Sequence, residues 1–180
     1  MIFIGIDIGL HGGLCALSEV AGASPIATLP MPLTDVLDGS GKWVEEIDVR
    51  AVLDWFVTLQ TPAAKFRVAI EECPPHSRSK GAMRSMAYSY GLLVGMLRTK
   101  GIRPTPIPPG NMNRGWQKAL LGKVPKGETK AYALAKAKEL WPDEDFIPGR
   151  CRTPHDGIVD AALIAEFHRR QIAQGETRRP

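Results

Sequence analysis

Four acidic residues have the types and positions that metal-dependent chemistry requires. Asp7 interrupts an apolar run near the N-terminus, and Glu71 ends a second, mostly apolar run. Asp156 and Asp160 are four residues apart, so a helix would place both side chains on one face. An ionised carboxylate in apolar surroundings costs free energy unless it is paired or binds a cation. These acids are therefore candidate metal ligands.

Oxygen ligands of this kind, without a clustered set of His and Cys, suit Mg²⁺ or Mn²⁺ and disfavour zinc. Two such ions about 4 Å apart can activate a water molecule and stabilise the leaving oxygen of a phosphoryl displacement. The three cysteines, Cys15, Cys73 and Cys151, form no C-x-x-C motif. The sequence thus predicts a site for two Mg²⁺ ions, with Mn²⁺ able to substitute.

The two acids on apolar runs also have structural interpretations. Asp7 could accept backbone N–H bonds from the turn at 9–13, and Glu71 with Glu72 could be a solvated pair at the end of a strand. Successive residues of a strand point to opposite faces, so only one of Glu71 and Glu72 can join Asp7. The pattern by itself leaves both interpretations open.

A helix start explains one member of the last acidic pair better than the other. Thr153 as N-cap, Pro154 as first helical residue and Asp156 two residues later would form an ordinary helix start. No such role explains Asp160, because it precedes the apolar residues 161–164 on a helix that must pack against a sheet. Asp160 therefore needs a functional explanation more than Asp156 does.

Apolar and alternating segments predict the strands that position these acids. We expect a three-stranded antiparallel meander with its apolar first strand in the centre, then a strand ending at Glu71 and a proline-restricted edge strand. The predicted strands are 1–8, 14–20, 26–31, 66–71 and 102–107. The polar segment 32–47 is predicted to be a loop.

Helical periodicity and capping residues predict five helices around this sheet. Asp48 is expected to cap the first helix, and Gly101 to end the second. The predicted helices are 49–59, 80–98, 111–121, 128–140 and 154–171. The order of elements predicts an α/β fold in which a mixed five-stranded sheet is flanked by helices.

The basic residues are concentrated in the middle of the chain. Residues 73–138 contain thirteen Lys or Arg and one acid, Glu128, whereas the rest contains ten basic and eighteen acidic residues. The formal net charge of +4 therefore combines +12 in the middle with −8 elsewhere. Clustered cations favour a polyanionic partner, because binding releases condensed counterions from nucleic acid. The alternative is a solvated lysine-rich surface.

Length and composition restrict the class of protein. A chain of 180 residues, 44% hydrophobic and 23% charged, is typical of one soluble globular domain, which we place at 1–173 with a flexible tail at 174–180. No apolar run reaches the roughly 20 residues that cross a bilayer. Residues 1–9 lack the features of a signal peptide. With the dispersed cysteines, this predicts a cytoplasmic protein without membrane contact.

Three short motifs, in this order, resemble those of RuvC-type Holliday junction resolvases, which belong to the ribonuclease-H-like nuclease superfamily. The motifs are Ile4-Gly5-Ile6-Asp7-Ile8-Gly9, Ala69-Ile70-Glu71 and His155-Asp156-x-x-x-Asp160-Ala161-Ala162. The resemblance spans nearly the whole chain and implies the ribonuclease-H-like fold, with three antiparallel strands followed by parallel ones. It also implies an Mg²⁺-dependent endonuclease that acts as a homodimer on four-way DNA junctions and makes paired symmetric nicks.

The resemblance also implies roles for individual residues. The implied metal ligands are Asp7, Glu71, Asp156 and Asp160. The last two are four residues apart, whereas the family pattern has three, so His155 is an alternative to Asp156. Lys130 stands where the family has a lysine near the scissile phosphate.

The basic region is expected to contact DNA, partly through a loop that leaves the strand of Glu71. The candidate contacts are Arg78, Lys80, Arg84, Arg114, Lys118, Lys123, Lys126 and Lys130. Trp116 and Tyr90 could stack on bases of an opened junction. Core packing is the better explanation for both, because aromatic residues at helical spacing are usually buried.

Other functions are compatible with parts of the pattern. A related nuclease that cuts RNA–DNA hybrid or structured RNA would use the same acids. A nucleic-acid-binding module without catalysis would not need all four of them. An actin-like ATPase shares an acid and a glycine after its first strand, but that architecture needs two domains and this chain has the length of one.

Overall fold

The computed structural model describes residues 1–59, 65–74, 79–108 and 115–175, and within them the chain forms seven strands and five helices. The strands are β1 (Ile2–Asp7), β2 (Gly13–Ser18), β3 (Ala27–Pro30), β4 (Leu33–Leu37), β5 (Trp43–Ile47), β6 (Phe66–Glu71) and β7 (Thr105–Ile107). The helices are α1 (Val49–Thr58), α2 (Lys80–Thr99), α3 (Trp116–Leu121), α4 (Thr129–Leu140) and α5 (Asp156–Ala173).

Five of the strands form one mixed sheet in the order β3-β2-β1-β6-β7. β1 pairs antiparallel with β2 and parallel with β6, and β7 extends the sheet in parallel beyond β6. β1 is central because Phe3, Ile4 and Ile6 are buried on both of its faces. The predicted meander, its central first strand and the following parallel strands are confirmed.

The prediction of a loop at 32–47 was wrong, because β4 and β5 form a separate two-stranded hairpin there. The turn is held by Asp38, whose carboxylate accepts the backbone N–H groups of Ser40 and Lys42. Polar residues and glycines at this turn conceal the strands in the sequence pattern. Val36 and Val44 lie opposite each other in the pairing, in keeping with the high β-propensity of valine.

Helices cover both faces of the main sheet. One face packs Ile4, Ile6 and Ile70 against the buried residues of α1 and α2, with Ile47 of the hairpin in the same cluster. The other face packs a different set, which includes Phe3, against α3, α4 and α5. This second layer matters most for the candidate site, because the last helix lies along the central strand.

Most helix boundaries follow the local signals. The Asp48 carboxylate accepts the N–H groups of Arg50 and Ala51, and Gly101 adopts a φ of 73° just after the end of α2, so both predicted caps are confirmed. The predicted start of α3 at 111–114 and residues 176–180 of the predicted tail at 174–180 lie outside the described residues. Within the described part of the chain, no helix is long and apolar enough to span a membrane.

Candidate active site

Asp7 and Glu71 lie side by side at the carboxyl ends of two adjacent parallel strands. The register of β1 and β6 pairs Ile6 with Ile70, and each acid is the next residue of its strand. The same alternation places Glu72 on the opposite face of the sheet, where its charge helps to raise the pKa of Tyr90 after the larger effect of burial. The tertiary structure therefore brings Glu71, and not Glu72, to Asp7.

Close backbone packing places α5 against these strand ends. Gly5 of β1 lies directly under α5, where a side chain would overlap with the backbone oxygen of Ala161. Gly12, in the turn after β1, forms an isolated parallel β-bridge with Gly157 in the first turn of α5. Glycine permits this approach because it has no Cβ. As a result, Asp160 reaches the end of β1 that carries Asp7.

The electrostatic environment of Asp160 shows that the four acids form one cluster. The pKa of Asp160 is raised to about 8, mainly by burial and then by the charges of Asp7, Glu71 and Asp156, in that order of effect. The nearby charge of Lys130 opposes this rise in pKa only in part. Burial also raises the pKa of Asp7 to about 6, although a hydrogen bond from the backbone N–H of Gly9 to its Oδ1 (3.4 Å) favours the ionised form.

Asp7 thus does accept a backbone N–H from the turn, as the structural interpretation of this residue suggested. That single long hydrogen bond does not offset the burial of the carboxylate, since the pKa of Asp7 stays above its ordinary value. Asp160 makes no hydrogen bond or ion pair within the described residues. Both carboxylates are therefore costly to ionise unless a cation is close.

Asp156 and Lys130 form an ion pair at the rim of the cluster. The Lys130 Nζ of α4 donates a hydrogen bond to Oδ2 of Asp156, and this contact raises the pKa of the lysine. Both side chains are largely open to solvent, with 78% and 52% exposure respectively. The structure therefore places the lysine singled out in the sequence beside the acids, although 26 residues separate it from Asp156.

The predicted start of α5 was wrong, and the difference changes the interpretation of His155. The N-cap is His155 rather than Thr153, and its Nδ1 accepts the backbone N–H of Ile158 at 3.3 Å. Asp156 is therefore the first helical residue. A neutral imidazole that accepts at Nδ1 carries its proton on Nε2 and has no second lone pair for a metal. This geometry favours Asp156 over His155 as the candidate for a fourth ligand.

Trp116 makes a contact with the cluster that the sequence pattern does not predict. Its side chain is fully buried, and its Nε1–H donates a hydrogen bond of 2.9 Å to Oε1 of Glu71. Stacking on bases is thus excluded for this residue, and core packing is confirmed. Tyr90 is half-buried and packs against the cluster around α1 and α2.

The chemistry of the acids fits a divalent cation, although they do not converge on one point. Within the ranges described above, no group of three or more Asp, Glu, His or Cys side chains is close enough to hold an ion as placed. Glu71 accepts from Trp116 and Asp156 pairs with Lys130, so protein donors orient these two carboxylates. Hard oxygen ligands are the donor set that Mg²⁺ prefers, and two of these carboxylates, Asp7 and Asp160, are half-buried with raised pKa values.

The described basic candidates are all solvent-exposed. Lys80 and Arg84 lie in the first two turns of α2, and Lys118 lies on α3. Lys123 and Lys126 belong to the connection between α3 and α4. Arg78 and Arg114, also predicted to contact DNA, lie outside the described residues.

Comparison with solved structures finds this fold in RuvC of Thermus thermophilus. One structure is "T. thermophilus RuvC in complex with Holliday junction substrate", with a TM-score of 0.61 and 17% identity over 97% of this chain and 96% of that chain. A second T. thermophilus RuvC structure gives a TM-score of 0.57 and 16% identity over 97% of each chain. Neither a protein-family model nor a curated protein matches the sequence. The shared property is the fold, a ribonuclease-H-like mixed sheet flanked by helices.

Proposed function

We propose that this protein is an Mg²⁺-dependent endonuclease that resolves four-way DNA junctions by paired symmetric nicks and acts as a homodimer. The observation that carries the proposal is that Asp7 and Glu71 end adjacent parallel strands beside α5, where their charges, with that of Asp156, contribute to the raised pKa of Asp160. A cluster with this concentration of carboxylates favours a divalent cation. The fold shared with a RuvC structure that contains a Holliday junction supports the choice of substrate.

In this proposal, Asp7, Glu71 and Asp160 hold Mg²⁺, and Asp156 is the fourth ligand. Two bound ions would activate the attacking water and stabilise the leaving oxygen, and Mn²⁺ would support the same chemistry. Asp7 and Glu71 sit on neighbouring strands of a packed sheet, so their backbones are held rigidly relative to each other. Lys130 sits at the rim, where its exposed charge can meet an oxygen of the scissile phosphate.

The basic residues would bind the phosphates that flank the cleaved bond. Lys80, Arg84, Lys118, Lys123 and Lys126 are exposed and belong to the segment that holds most of the positive charge. Each phosphate contact adds roughly 0.9 to the slope of log affinity against log salt concentration. Replacing Lys123 and Lys126 together should therefore lower this slope by about 2.

The function is tested with labelled four-way junction, linear duplex and RNA–DNA hybrid, each with Mg²⁺ or with Ca²⁺. Symmetric nicking of the junction alone, dependent on Mg²⁺, is the expected result. Cleavage of the hybrid would favour the related ribonuclease reading. Binding to nucleic acid without cleavage under any divalent ion would favour a binding module. A measurement of mass in solution tests the homodimer.

Variants connect the activity to the proposed ligands. Asp7→Asn and Asp160→Asn should abolish cleavage yet keep or tighten junction binding, because they remove negative charge beside the DNA. Glu72→Gln is the matched control for Glu71→Gln, since the two acids are neighbours in sequence but lie on opposite faces of the sheet. Loss of binding in both Asn variants, or equal loss of cleavage in both Gln variants, would contradict the proposed metal role.

A further inference from the structure

We propose that Trp116 is a positioning residue that orients the Glu71 carboxylate for metal binding. The inference rests on the proposed function, because it concerns a ligand of the proposed ions. The indole Nε1–H donates a hydrogen bond of 2.9 Å to Oε1 of Glu71, and the two residues are 45 positions apart in sequence. The bond joins the first residue of α3 to the last residue of β6.

Because Trp116 is buried, its indole N–H is shielded from solvent and donates to Glu71. The indole body belongs to the apolar cluster between the sheet and α5, with Ala69, Ile107 and Leu120 among its members. An indole has one N–H donor and no acceptor, and buried donors of this kind find a partner. The apolar packing therefore fixes the position of the N–H, and the hydrogen bond restrains Oε1 of Glu71 next to it.

A glutamate needs such a partner more than an aspartate does. Its carboxylate is separated from the backbone by one more rotatable bond than that of Asp7, so the strand alone does not determine its position. An ionised carboxylate has about four lone-pair sites, so the hydrogen bond at Oε1 does not by itself prevent it from binding a cation. Partners that orient metal ligands typically affect metal affinity or activity by about 10–100-fold when removed.

The test compares Trp116→Phe with Trp141→Phe. Trp141 is also buried and packs edge-to-face on Phe146, with ring centroids 6.1 Å apart, so both variants remove the same atoms from the core. Within the described residues, Trp141 has no hydrogen bond to the four acids. Calorimetric titration with Mn²⁺, without DNA, should show about tenfold weaker binding for Trp116→Phe. Trp141→Phe should bind Mn²⁺ like the unaltered protein.

The outcomes separate this inference from the proposed function. If the unaltered protein binds no Mn²⁺, the proposed function and the role of Trp116 both fail. If the unaltered protein binds Mn²⁺ and folded Trp116→Phe binds it equally well, only the role of Trp116 fails. Equal weakening in both Trp variants would also overturn that role, since it would reflect lost packing.

A second measurement covers the case in which Trp116→Phe does not fold. In ¹H–¹⁵N spectra of the unaltered protein, the indole N–H signal of Trp116 should move on addition of Mg²⁺ far more than that of Trp141. A Trp116 signal that stays in place while the ion binds would overturn the inference.

Discussion

Gly12 and Gly157 are joined backbone to backbone by an isolated β-bridge, which links the turn after β1 to the first turn of α5. A side chain at Gly157 would overlap with main-chain atoms of His11 and Gly12. The bridge thereby sets how deeply α5 lies on the sheet. That depth brings Asp160 to the end of β1 that carries Asp7.

Gly157→Ala should therefore destabilise the protein and disturb the acidic cluster. Overpacking of a filled contact typically costs about 1–3 kcal/mol of unfolding free energy, measured here by urea denaturation. The matched control is Gly91→Ala in α2, where a Cβ would meet no atom within 4 Å. That change should stabilise by about 0.5–1 kcal/mol, because alanine has the higher helix propensity. Equal effects of both changes would show that the bridge does not constrain α5.

The raised pKa values of Asp7 and Asp160 predict how the stability of the metal-free protein depends on pH. The pKa is raised to about 6 for Asp7 and to about 8 for Asp160, so the native protein retains protons that the unfolded chain has lost. Stability from these protonated groups is present below the unfolded pKa of about 4 and is lost as the pH rises through about 6 and then 8. In EDTA, the melting temperature should fall over this range.

Asp160→Asn should remove the part of this fall that lies at the highest pH. Near pH 8, Mg²⁺ should raise the melting temperature of the unaltered protein, because a ligand that binds only the native state stabilises it. The Asn variant should gain less from Mg²⁺. A melting temperature that is independent of pH in EDTA would contradict the assigned environment of both acids.

His155→Asn separates the two candidates for the fourth ligand. Asparagine is a good N-cap and can accept the Ile158 N–H in place of Nδ1, so α5 should keep its start and its stability. We expect His155→Asn to retain Mg²⁺-dependent cleavage and Asp156→Asn to lose most of it. The reverse order of activities, measured on folded variants at saturating Mg²⁺, would assign the ligand to His155.

Lys130→Ala should slow cleavage of the junction more than it weakens binding. The lysine pairs with Asp156 at the rim of the cluster. In the proposed function, its charge would stabilise the charge that develops on the scissile phosphate. We expect a loss of at least about tenfold in the single-turnover rate. Lys126→Ala is the control and should affect binding and its salt dependence alone. Equal losses of binding and rate for Lys130→Ala would reduce this lysine to an ordinary phosphate contact.

The buried side chain of His168, away from the candidate site, should make the stability of the protein sensitive to acid. Both ring nitrogens are buried without a hydrogen-bond partner in the described structure, and the ring lies edge-on to Phe3. Burial, with a smaller effect of the charge of Arg67, lowers the pKa of His168 to about 4. Stability from the neutral ring is present above the unfolded pKa of about 6.5 and is lost as the pH falls toward about 4.

His168→Phe should remove this acid sensitivity and stabilise the protein near neutral pH. Replacing an unpaired buried polar group by an apolar ring should raise the unfolding free energy by about 1–2 kcal/mol. Urea denaturation near pH 5 and near pH 7.5 measures both effects. This prediction would be contradicted if the variant were less stable, or if the difference in unfolding free energy between the two pH values stayed the same.

Much of the fold was predictable from residues that are close together in sequence. The apolar first strand, the Asp48 cap and the Gly101 helix end depend on local propensity and hydrogen bonds. The hairpin at 33–47 was missed because its polar turn dominates the pattern and its strands gain stability from pairing. The start of α5 was misplaced because Thr153 and Pro154 fit the sequence preferences for an N-cap and a first helical residue. In the fold, His155 is the N-cap instead.

The sequence by itself determined which acids stand at strand ends and on the last helix, since two-residue and four-residue periodicities are properties of the local backbone. Only the tertiary structure decided that Glu71 joins Asp7, that Lys130 meets Asp156, and that Trp116 donates to Glu71. These partners are up to 45 residues apart, so the packing of helices on the sheet sets their distances. Carboxylates from distant segments shift one another's pKa values strongly only when folding brings them close together in a region of low polarity.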